Sequence, residues 1–491
     1  MDLKAAFVLA DVDAVGQGAL AAAGDLTAVE LLEAAIQRVE ATRELNAVIV
    51  DLFDRGREQA AALDASGALR SEGLSPVAGV PYLLKDLSAS LAGAPEAMGS
   101  RALRTYVAPD TAWIVQRWLD AGLVVFGKTN TPEWGNHCTT EPSLWGRTAN
   151  PWSPDITPGG SSGGSAALVA AGVLPAASAG DGTGSIRMPS SVCGLVGLKP
   201  RRARTSFAPG AGHVLEGLVN EHALTRTVRD SAALLDTVTG SDPGDPYFAP
   251  LPATSFLEAI AVAPAPQRIL TTTDSCFPGT TTDPQVVAAV QATAALLEGL
   301  GHHVEQGAPT IDPDAVADAI AVLHTVSNAQ LHAFATEVLG REPHEDEFEP
   351  STWVMVREGF TTTGVQYAAA IEAVHAQTRR FVAGMGAADV LLVPTLLTTP
   401  PGYAHLDQPR GTTRAFFDVE FATCGWTTMA NVTGWAAITL PMGQTADGLP
   451  IGVQLMAPDE TILLQLAAQL EAAAPWIDRK PAGWVGATAT A

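Results

Sequence analysis

The segment from residue 148 to residue 184 constrains the fold of this chain more than any other. Glycine, serine, alanine and proline dominate it, and its only charged residues are Asp155 and Asp181. A flexible Gly/Ser linker would lie in sequence of low apolar content. Residues 166–171 and 192–198, within and after the segment, are instead apolar enough to be packed elements. We therefore predict that the segment belongs to a folded domain.

Helical and strand patterns alternate along the rest of the chain. Thr27 and Glu30 have the spacing of a capping box ahead of an apolar helical face, and a second helix is predicted after Asp283. Short apolar runs predict strands at residues 122–126, 268–271 and 390–393, and a hairpin at 437–440 and 451–455. The alternation predicts an α/β protein with a large mixed, mostly parallel β-sheet that is flanked by helices on both faces.

No internal repeat divides the 491 residues, so we predict a single domain over residues 1–491. Within it, helical patterns predominate between about residues 283 and 385. This stretch is predicted to form a helix-rich lobe beside the sheet.

The charge balance limits the partners of the protein. There are 52 acidic and 28 basic residues, which give a formal net charge of -24, and only five of the basic residues are lysines. Nucleic acids and anionic membranes both require clustered cations, so neither is expected as a partner. No run reaches the roughly 18 apolar residues of a membrane-spanning helix, and the four separated cysteines fit reduced thiols. We predict a cytoplasmic protein that acts on a small molecule. Whether it forms a homodimer is left open by the sequence.

Two glycine-rich stretches, residues 158–165 and 180–187, invite several interpretations. Neither contains the lysine of a phosphate-binding loop, and Arg187 occupies the third glycine position of a dinucleotide fingerprint. Residues 159–163 match the G-x-S-x-G nucleophile elbow of esterases, with Ser161 at its centre. Three prolines between residues 151 and 158 argue against the strand that this elbow requires. An esterase is therefore the second choice.

A serine hydrolase with a lysine base fits the residues better. The turn Gly182-Thr183-Gly184-Ser185 can present consecutive N–H groups to an oxyanion, with Ser185 as the nucleophile. Lys85 lies in the apolar run of residues 80–87, where burial would lower its pKa and let the neutral amine act as a base. The alternative is a lysine at the end of a strand, paired with Asp86.

Five motifs together resemble the amidase signature family of serine hydrolases, over roughly residues 27–476: residues 78–86, 127–133, 159–165, 181–187 and 194–200. The resemblance implies the amidase signature fold and a Ser-Ser-Lys triad with no metal or cofactor. Ser185 matches the nucleophile, Lys85 the base, and Ser161 the middle serine, which family members hold through a cis peptide bond. The N–H groups of Gly182, Thr183, Gly184 and Ser185 match the oxyanion hole. Three further residues match supporting positions: Ser162, Asp181 and Arg187.

Thr183 departs from the family pattern, which usually has glycine at this position. A β-branched side chain narrows the accessible φ values of the turn, but it keeps the N–H donor. The resemblance therefore still implies an oxyanion hole at this turn.

Residues 139–146 and 192–194 resemble the 6-aminohexanoate cyclic-dimer hydrolase branch of the family. That likeness implies cleavage of small or oligomeric non-peptide amides. Trp435 replaces the usual glutamine of a C-terminal motif and either shapes the pocket toward flat substrates or packs in the core. Aryl amides and carbamates therefore stay open as substrates. The other candidate substrate-binding residues are Asn130, Trp134 and His137.

Two other functions compete with a stand-alone amidase. The glutaminase subunit of a tRNA-dependent amidotransferase shares this fold, but the residues after Asn130 do not resemble that subunit. A non-catalytic binding protein is disfavoured, because all three triad positions are occupied.

Overall fold

The computed structural model describes residues 3–71, 73–403 and 411–486. The described strands are β1 (Val48–Asp51), β2 (Pro81–Lys85), β3 (Val124–Thr129), β4 (Ala176–Asp181), β5 (Val196–Lys199), β6 (Asn220–Thr225), β7 (Arg268–Thr271), β8 (His303–Gln306), β9 (Val390–Pro394), β10 (Ala436–Gln444) and β11 (Pro450–Ala457).

The described α-helices are α1 (Leu3–Val8), α2 (Ala14–Ala23), α3 (Ala28–Glu40), α4 (Phe53–Ser66), α5 (Trp113–Asp120), α6 (Gly163–Ala170), α7 (Arg187–Cys193), α8 (Val228–Val238), α9 (Phe256–Ala259), α10 (Pro284–Gly299), α11 (Pro313–Leu339), α12 (Pro350–Thr361), α13 (Gly364–Gly384), α14 (Thr413–Cys424), α15 (Thr427–Thr433) and α16 (Glu460–Ala473). None of them is long and apolar enough to cross a membrane.

The main β-sheet has eight strands in the order β4-β6-β5-β10-β11-β9-β7-β8, and β1-β3-β2 form a second, smaller sheet. The main sheet is mixed, as predicted, but the prediction that it is mostly parallel is wrong. Among its described strands only β9, β7 and β8 pair in parallel, and the other neighbours are antiparallel. Continuous apolar strands are typical of parallel sheets because both faces are covered. Here helices cover both faces of antiparallel strands as well.

The two faces of the sheet carry separate apolar cores. On β9, Val390 and Leu392 pack into one core, and Leu391 and Val393 into the other. This is the alternation that a strand covered on both faces requires. Helices α8, α10 and α16 contribute to the first core, and α6 and α7 to the second. The predicted α/β architecture with helices on both faces is confirmed.

Most of the strongly patterned elements are present. Thr27 and Glu30 form the predicted capping box of α3, and Asp283 caps the N-terminus of α10. Strand β7 has the predicted bounds, and β10 and β11 form the predicted hairpin with longer strands. Residues 284–384 hold α10–α13 and the short strand β8. The division into one domain and a lobe stays a prediction.

Most of the glycine- and serine-rich segment is buried and forms regular elements of the fold, so the linker interpretation is wrong. Every residue from 156 to 181 is buried. The segment runs from a loop into α6, then into the edge strand β4, and turns at residues 182–185 into α7. Strand β2 packs against β4, which brings the end of the small sheet to this turn.

Candidate active site

Lys85 is the last residue of β2, and its side chain is almost completely buried, with 1% exposed. Its backbone N–H donates a hydrogen bond of 2.6 Å to Ser178 Oγ on β4, which fixes the strand end. Its Nζ donates to Ser161 Oγ at 2.7 Å and to the carbonyl oxygen of Gly180 at 3.4 Å. The two predicted residues therefore touch directly.

The environment of Lys85 favours its neutral form more than water does. Burial lowers the pKa of Lys85 below its ordinary value of 10.5, although the nearby charges of Glu221 and Asp181 raise it. Asp86 is not the partner of Lys85, because its carboxylate lies 3.3 Å from the ammonium of Lys128. The alternative of a Lys85–Asp86 pair is wrong.

Ser161 lies in the loop immediately before α6, and the Gly160–Ser161 peptide bond is cis. Gly160 is required here, because a Cβ at this position would lie 2.5 Å from the carbonyl oxygens of His137 and Thr139. The carbonyl oxygen of Ser161 accepts a hydrogen bond of 2.9 Å from Thr131 Oγ1. No described strand leads directly into this serine, because the last strand before it, β3, ends at Thr129, so the nucleophile elbow is not formed.

The turn between β4 and α7 presents its N–H groups without acceptors. Among the described residues, no acceptor contacts the N–H groups of residues 182–185, whereas Ile186 donates to the Asp181 carboxylate at 3.1 Å. Gly184 has φ +144°, and a Cβ there would lie 2.8 Å from Thr427 Oγ1. Thr183 keeps a negative φ, which its β-branched side chain tolerates, and its carbonyl accepts from Thr427 Oγ1 at 2.8 Å.

A buried ion pair supports this turn. Arg187 donates to both carboxylate oxygens of Asp181, at 2.8 and 2.9 Å, and both side chains are fully buried. Burial raises the pKa of Asp181, but the charge and hydrogen bonds of Arg187 outweigh it and hold that pKa below its ordinary value. Asn431 also donates to the Asp181 carboxylate at 2.9 Å. Ser162 donates to the carbonyl of Gly180 at 3.3 Å.

A cavity of about 640 Å³ joins these elements. Lys85, Ser161 and Ser185 lie on its wall together with Gly182 and Thr183. Ser185 is 6% exposed, whereas Gly182 and Thr183 of the same turn are half-buried. Apolar and aromatic side chains form much of the remaining wall: Leu87, Met98, Tyr106, Trp134, Phe207, Val219, Leu331, Phe334 and Tyr367.

Of the four predicted substrate-binding residues, only Trp134 lines this cavity. The side chain of Asn130 is buried outside the cavity lining and donates to Gly146 O and Thr148 Oγ1, both at 3.0 Å. His137 is hydrogen-bonded to Ser351 at 2.7 Å and packs on Phe416.

Trp435 packs edge-to-face on Phe381, with ring centroids 5.5 Å apart, as the core-packing alternative predicts. Asn130, His137 and Trp435 therefore do not line this cavity, and their role in substrate binding stays a prediction.

Glu221 is a buried acidic residue of the cavity wall that the sequence did not predict. It lies on β6, lines the cavity, and is 2% exposed. Burial raises the pKa of Glu221, while Lys85 lowers it. The available signal was a run of three polar residues, Asn220, Glu221 and His222, between apolar residues at 218–219 and 223–224. Among the described residues, no group of three or more His, Cys, Asp or Glu side chains is arranged to hold a metal ion.

The sequence of this chain is similar to those of known amidases. The family model described as Amidase matches residues 30–461 of the chain. The chain is also 38% identical to the 6-aminohexanoate-cyclic-dimer hydrolase of Paenarthrobacter ureafaciens over 489 residues, which cover 96% of each protein. This chain belongs to the amidase signature family. Like its relatives, this amidase is a hydrolase of carbon–nitrogen bonds other than peptide bonds.

Solved structures agree with the fold of this amidase. It matches 6-aminohexanoate cyclic dimer hydrolase complexed with substrate with a TM-score of 0.89 at 36% identity, over 99% of this chain and 100% of the other. It matches a bacterial aryl acylamidase of the amidase signature family with a TM-score of 0.85 at 25% identity, over 95% of this chain and 97% of the other. The amidase signature fold is therefore confirmed.

Proposed function

We propose that this amidase cleaves its substrate through a Ser185 acyl-enzyme, with Ser161 and Lys85 as the proton relay. The observation that carries the proposal is the 2.7 Å contact between Lys85 Nζ and Ser161 Oγ on the wall of a cavity that Ser185 also lines. A buried amine whose pKa is lowered can accept a proton near neutral pH. A serine hydroxyl activated in this way is a competent nucleophile.

The reaction proceeds in two halves. Ser185 Oγ bonds to the carbonyl carbon as its proton moves to Ser161 and the Ser161 proton moves to Lys85. The carbonyl electron pair moves to oxygen, and the N–H groups of residues 182–185, which contact no other acceptor among the described residues, stabilise this oxyanion. The proton then returns to the leaving nitrogen as the C–N bond breaks. Water hydrolyses the resulting ester by the same relay.

The proposed substrates are small or oligomeric non-peptide amides, such as the 6-aminohexanoate cyclic dimer. Two relatives that are 38% identical over 96% of the chain are 6-aminohexanoate-cyclic-dimer hydrolases. A cavity of about 640 Å³ with a largely apolar wall suits an uncharged molecule of this size.

Aryl amides and carbamates are the second candidate class. Trp134, Tyr106 and Phe334 give the wall aromatic surfaces on which a flat leaving group can stack. The similar fold of an aryl acylamidase supports the same class.

The decisive experiment is Ser185→Ala, assayed against the 6-aminohexanoate cyclic dimer, an anilide and an aryl carbamate. We expect kcat to fall by roughly 10⁴-fold or more on every substrate that the unmodified protein hydrolyses. The exposed Ser71→Ala is the matched control and should retain full activity. Intact-mass spectrometry with a slow aryl carbamate should show an adduct on the wild-type chain alone. Hydrolysis retained by Ser185→Ala would refute the proposed nucleophile.

A further inference from the structure

Glu221 occupies an unusual position for a carboxylate. It pairs across the sheet with Gly180, the residue whose carbonyl accepts the 3.4 Å hydrogen bond from Lys85. The carboxylate lies directly against the Cα atom of Gly180, because a Cβ there would be 2.2 Å from Glu221 Oε1. A side chain at position 180 would displace it. Glycine at this position therefore leaves room for the acid beside the lysine.

The carboxylate of Glu221 is buried without a complete set of hydrogen bonds. It is 2% exposed, and its Oε2 has no hydrogen-bond partner among the described residues. An unpaired buried carboxylate is costly unless an opposite charge lies near it. Lys85, on the same cavity wall, supplies that charge, since it lowers the pKa of Glu221 while Glu221 raises that of Lys85.

The other carboxylates near Lys85 are already paired with cations. Asp181 is held by both nitrogens of the Arg187 guanidinium, at 2.8 and 2.9 Å. Asp86, which follows Lys85 in the chain, lies 3.3 Å from Lys128.

The remaining titratable groups of the neighbouring strands add no competing negative charge. On β2, Tyr82 is neutral, because burial and then Glu221 raise the pKa of its hydroxyl. On β5, burial lowers the pKa of Lys199, whose Nζ donates to the carbonyl of Pro200. On β6, burial lowers the pKa of His222 to about 4, so this ring is uncharged. Glu221 and Asp181 both raise the pKa of Lys85, with Glu221 the larger cause, and among the described residues near Lys85 Glu221 is the carboxylate not already paired with another cation.

We propose that Glu221 is a positioning residue for the amidase reaction, whose charge stabilises the Lys85 ammonium that forms when Ser185 attacks. The proposal rests on the proposed function of Lys85 and Ser185. Glu221 itself exchanges no proton: the proton moves from Ser185 through Ser161 to Lys85, and later returns to the leaving nitrogen. Burial raises the pKa of Glu221 to about 7, so its carboxylate is charged above that pH, where the positive charge of Lys85 appears and disappears beside it.

One charge then has two opposite effects on the rate. In the free enzyme it favours the ammonium, so it moves the onset of activity to higher pH. In the transition state it stabilises the proton accepted by Lys85, so it raises the maximal rate. Loss of the charge should shift the acid limb of the pH–rate profile to lower pH. It should also lower the plateau value of kcat. A residue needed only for packing would lower the plateau without moving the limb.

The test measures kcat and kcat/KM between pH 5 and pH 10 for the wild type, Glu221→Gln and Glu221→Leu. We expect the acid limb of both variants to move to lower pH by about one unit, which is the effect of one nearby charge on a lysine. We also expect the plateau of kcat to fall about tenfold, the rate equivalent of one unit of pKa. Glu221→Leu removes the charge without leaving a polar group to bury, so it covers the case in which Glu221→Gln folds poorly.

Two controls separate charge from structure. Glu221→Asp retains the charge and should keep the limb at the wild-type pH. Glu216→Gln removes another carboxylate of the cavity wall, one that accepts a hydrogen bond from Tyr367, and should leave the limb in place.

An unmoved limb in folded Glu221→Gln or Glu221→Leu would overturn the proposal. If Ser185→Ala is inactive while that limb is unmoved, only the role of Glu221 fails. If Ser185→Ala stays active, the proposed function fails instead.

Discussion

At the scale of single residues, Lys85 owes its chemistry to where its strand ends. Strand β2 carries apolar side chains into the core, and Lys85 is its last residue, so its Nζ reaches Ser161 Oγ at 2.7 Å without contact with bulk water. Because burial lowers its pKa, the fraction of neutral amine rises with pH through a value below 10.5. We therefore expect wild-type kcat/KM to rise with pH along a single acid limb.

Lys85→Met is the variant that tests this role. The unbranched apolar side chain fills the same space but cannot accept a proton, so we expect kcat at neutral pH to fall by about 10²- to 10⁴-fold. The acid limb should disappear, because its titrating group is gone. Lys480→Met, at a surface ion pair with Asp11, is the control and should keep the wild-type profile. A retained acid limb in Lys85→Met would assign the limb to a different group.

At the scale of elements, the unit of β4, the turn and α7 depends on one buried arginine. Arg187 bonds Asp181 at the end of β4, the carbonyl of Thr427 at the start of α15, and Gln454 on β11. It therefore connects the nucleophile turn to the centre of the main sheet. Removing the cation would leave the Asp181 carboxylate buried and unpaired, which is strongly destabilising.

We expect Arg187→Met to lower the free energy of unfolding by about 3–5 kcal/mol, as measured by the shift of the urea midpoint. Arg414 is the comparison at the surface, because its guanidinium pairs with three exposed aspartates, Asp314, Asp318 and Asp418. Its replacement by methionine should cost about 1 kcal/mol or less, since water screens exposed pairs. Equal midpoints for the two variants would contradict the structural role of Arg187.

The same scale shows which elements local sequence can predict. Helix α10 and strands β7 and β9 carry their own caps or apolar runs, so their positions follow from neighbouring residues. Strand β4 consists of alanine, serine, glycine and aspartate, which have little preference for strands, and its burial depends on distant partners. Strand direction was mispredicted for the same reason, because pairing is decided by connections across the whole sheet.

The residues of the candidate site also differ in whether local sequence predicts them. Lys85, Ser161 and Ser185 could be predicted because each lies in a recognisable motif. Glu221 could not, since only the β4–β6 register brings it to Gly180. For Asn130 and His137, the motif predicts proximity to the site but not the direction of the side chain. Both turn away from the cavity toward their own hydrogen-bond partners.

At the scale of the whole molecule, the acidic excess reaches into the cavity. The formal net charge is -24, and five carboxylate residues lie on the cavity wall: Glu96, Asp110, Asp181, Glu216 and Glu221. Lys85 is the only lysine or arginine among the described lining residues. Asp181 and Glu96 are paired with the cations of Arg187 and Lys128. Asp110 and Glu216 still give the wall the same sign of charge as the surface, and that field repels anionic substrates.

We therefore expect the protein to select its substrates by their charge. Three matched acyl p-nitroanilides, with an uncharged, an ammonium or a carboxylate group at the far end of the acyl chain, measure it directly. We expect kcat/KM for the carboxylate compound to be about tenfold or more below that of the uncharged compound, a difference of ~1.4 kcal/mol that carboxylates near a cavity can produce. Raising the ionic strength should narrow the gap, because salt screens the part of the field that acts through water. A carboxylate compound that equals the uncharged one at low salt would contradict this selection, because the wall would then have to supply a cation for it besides Lys85.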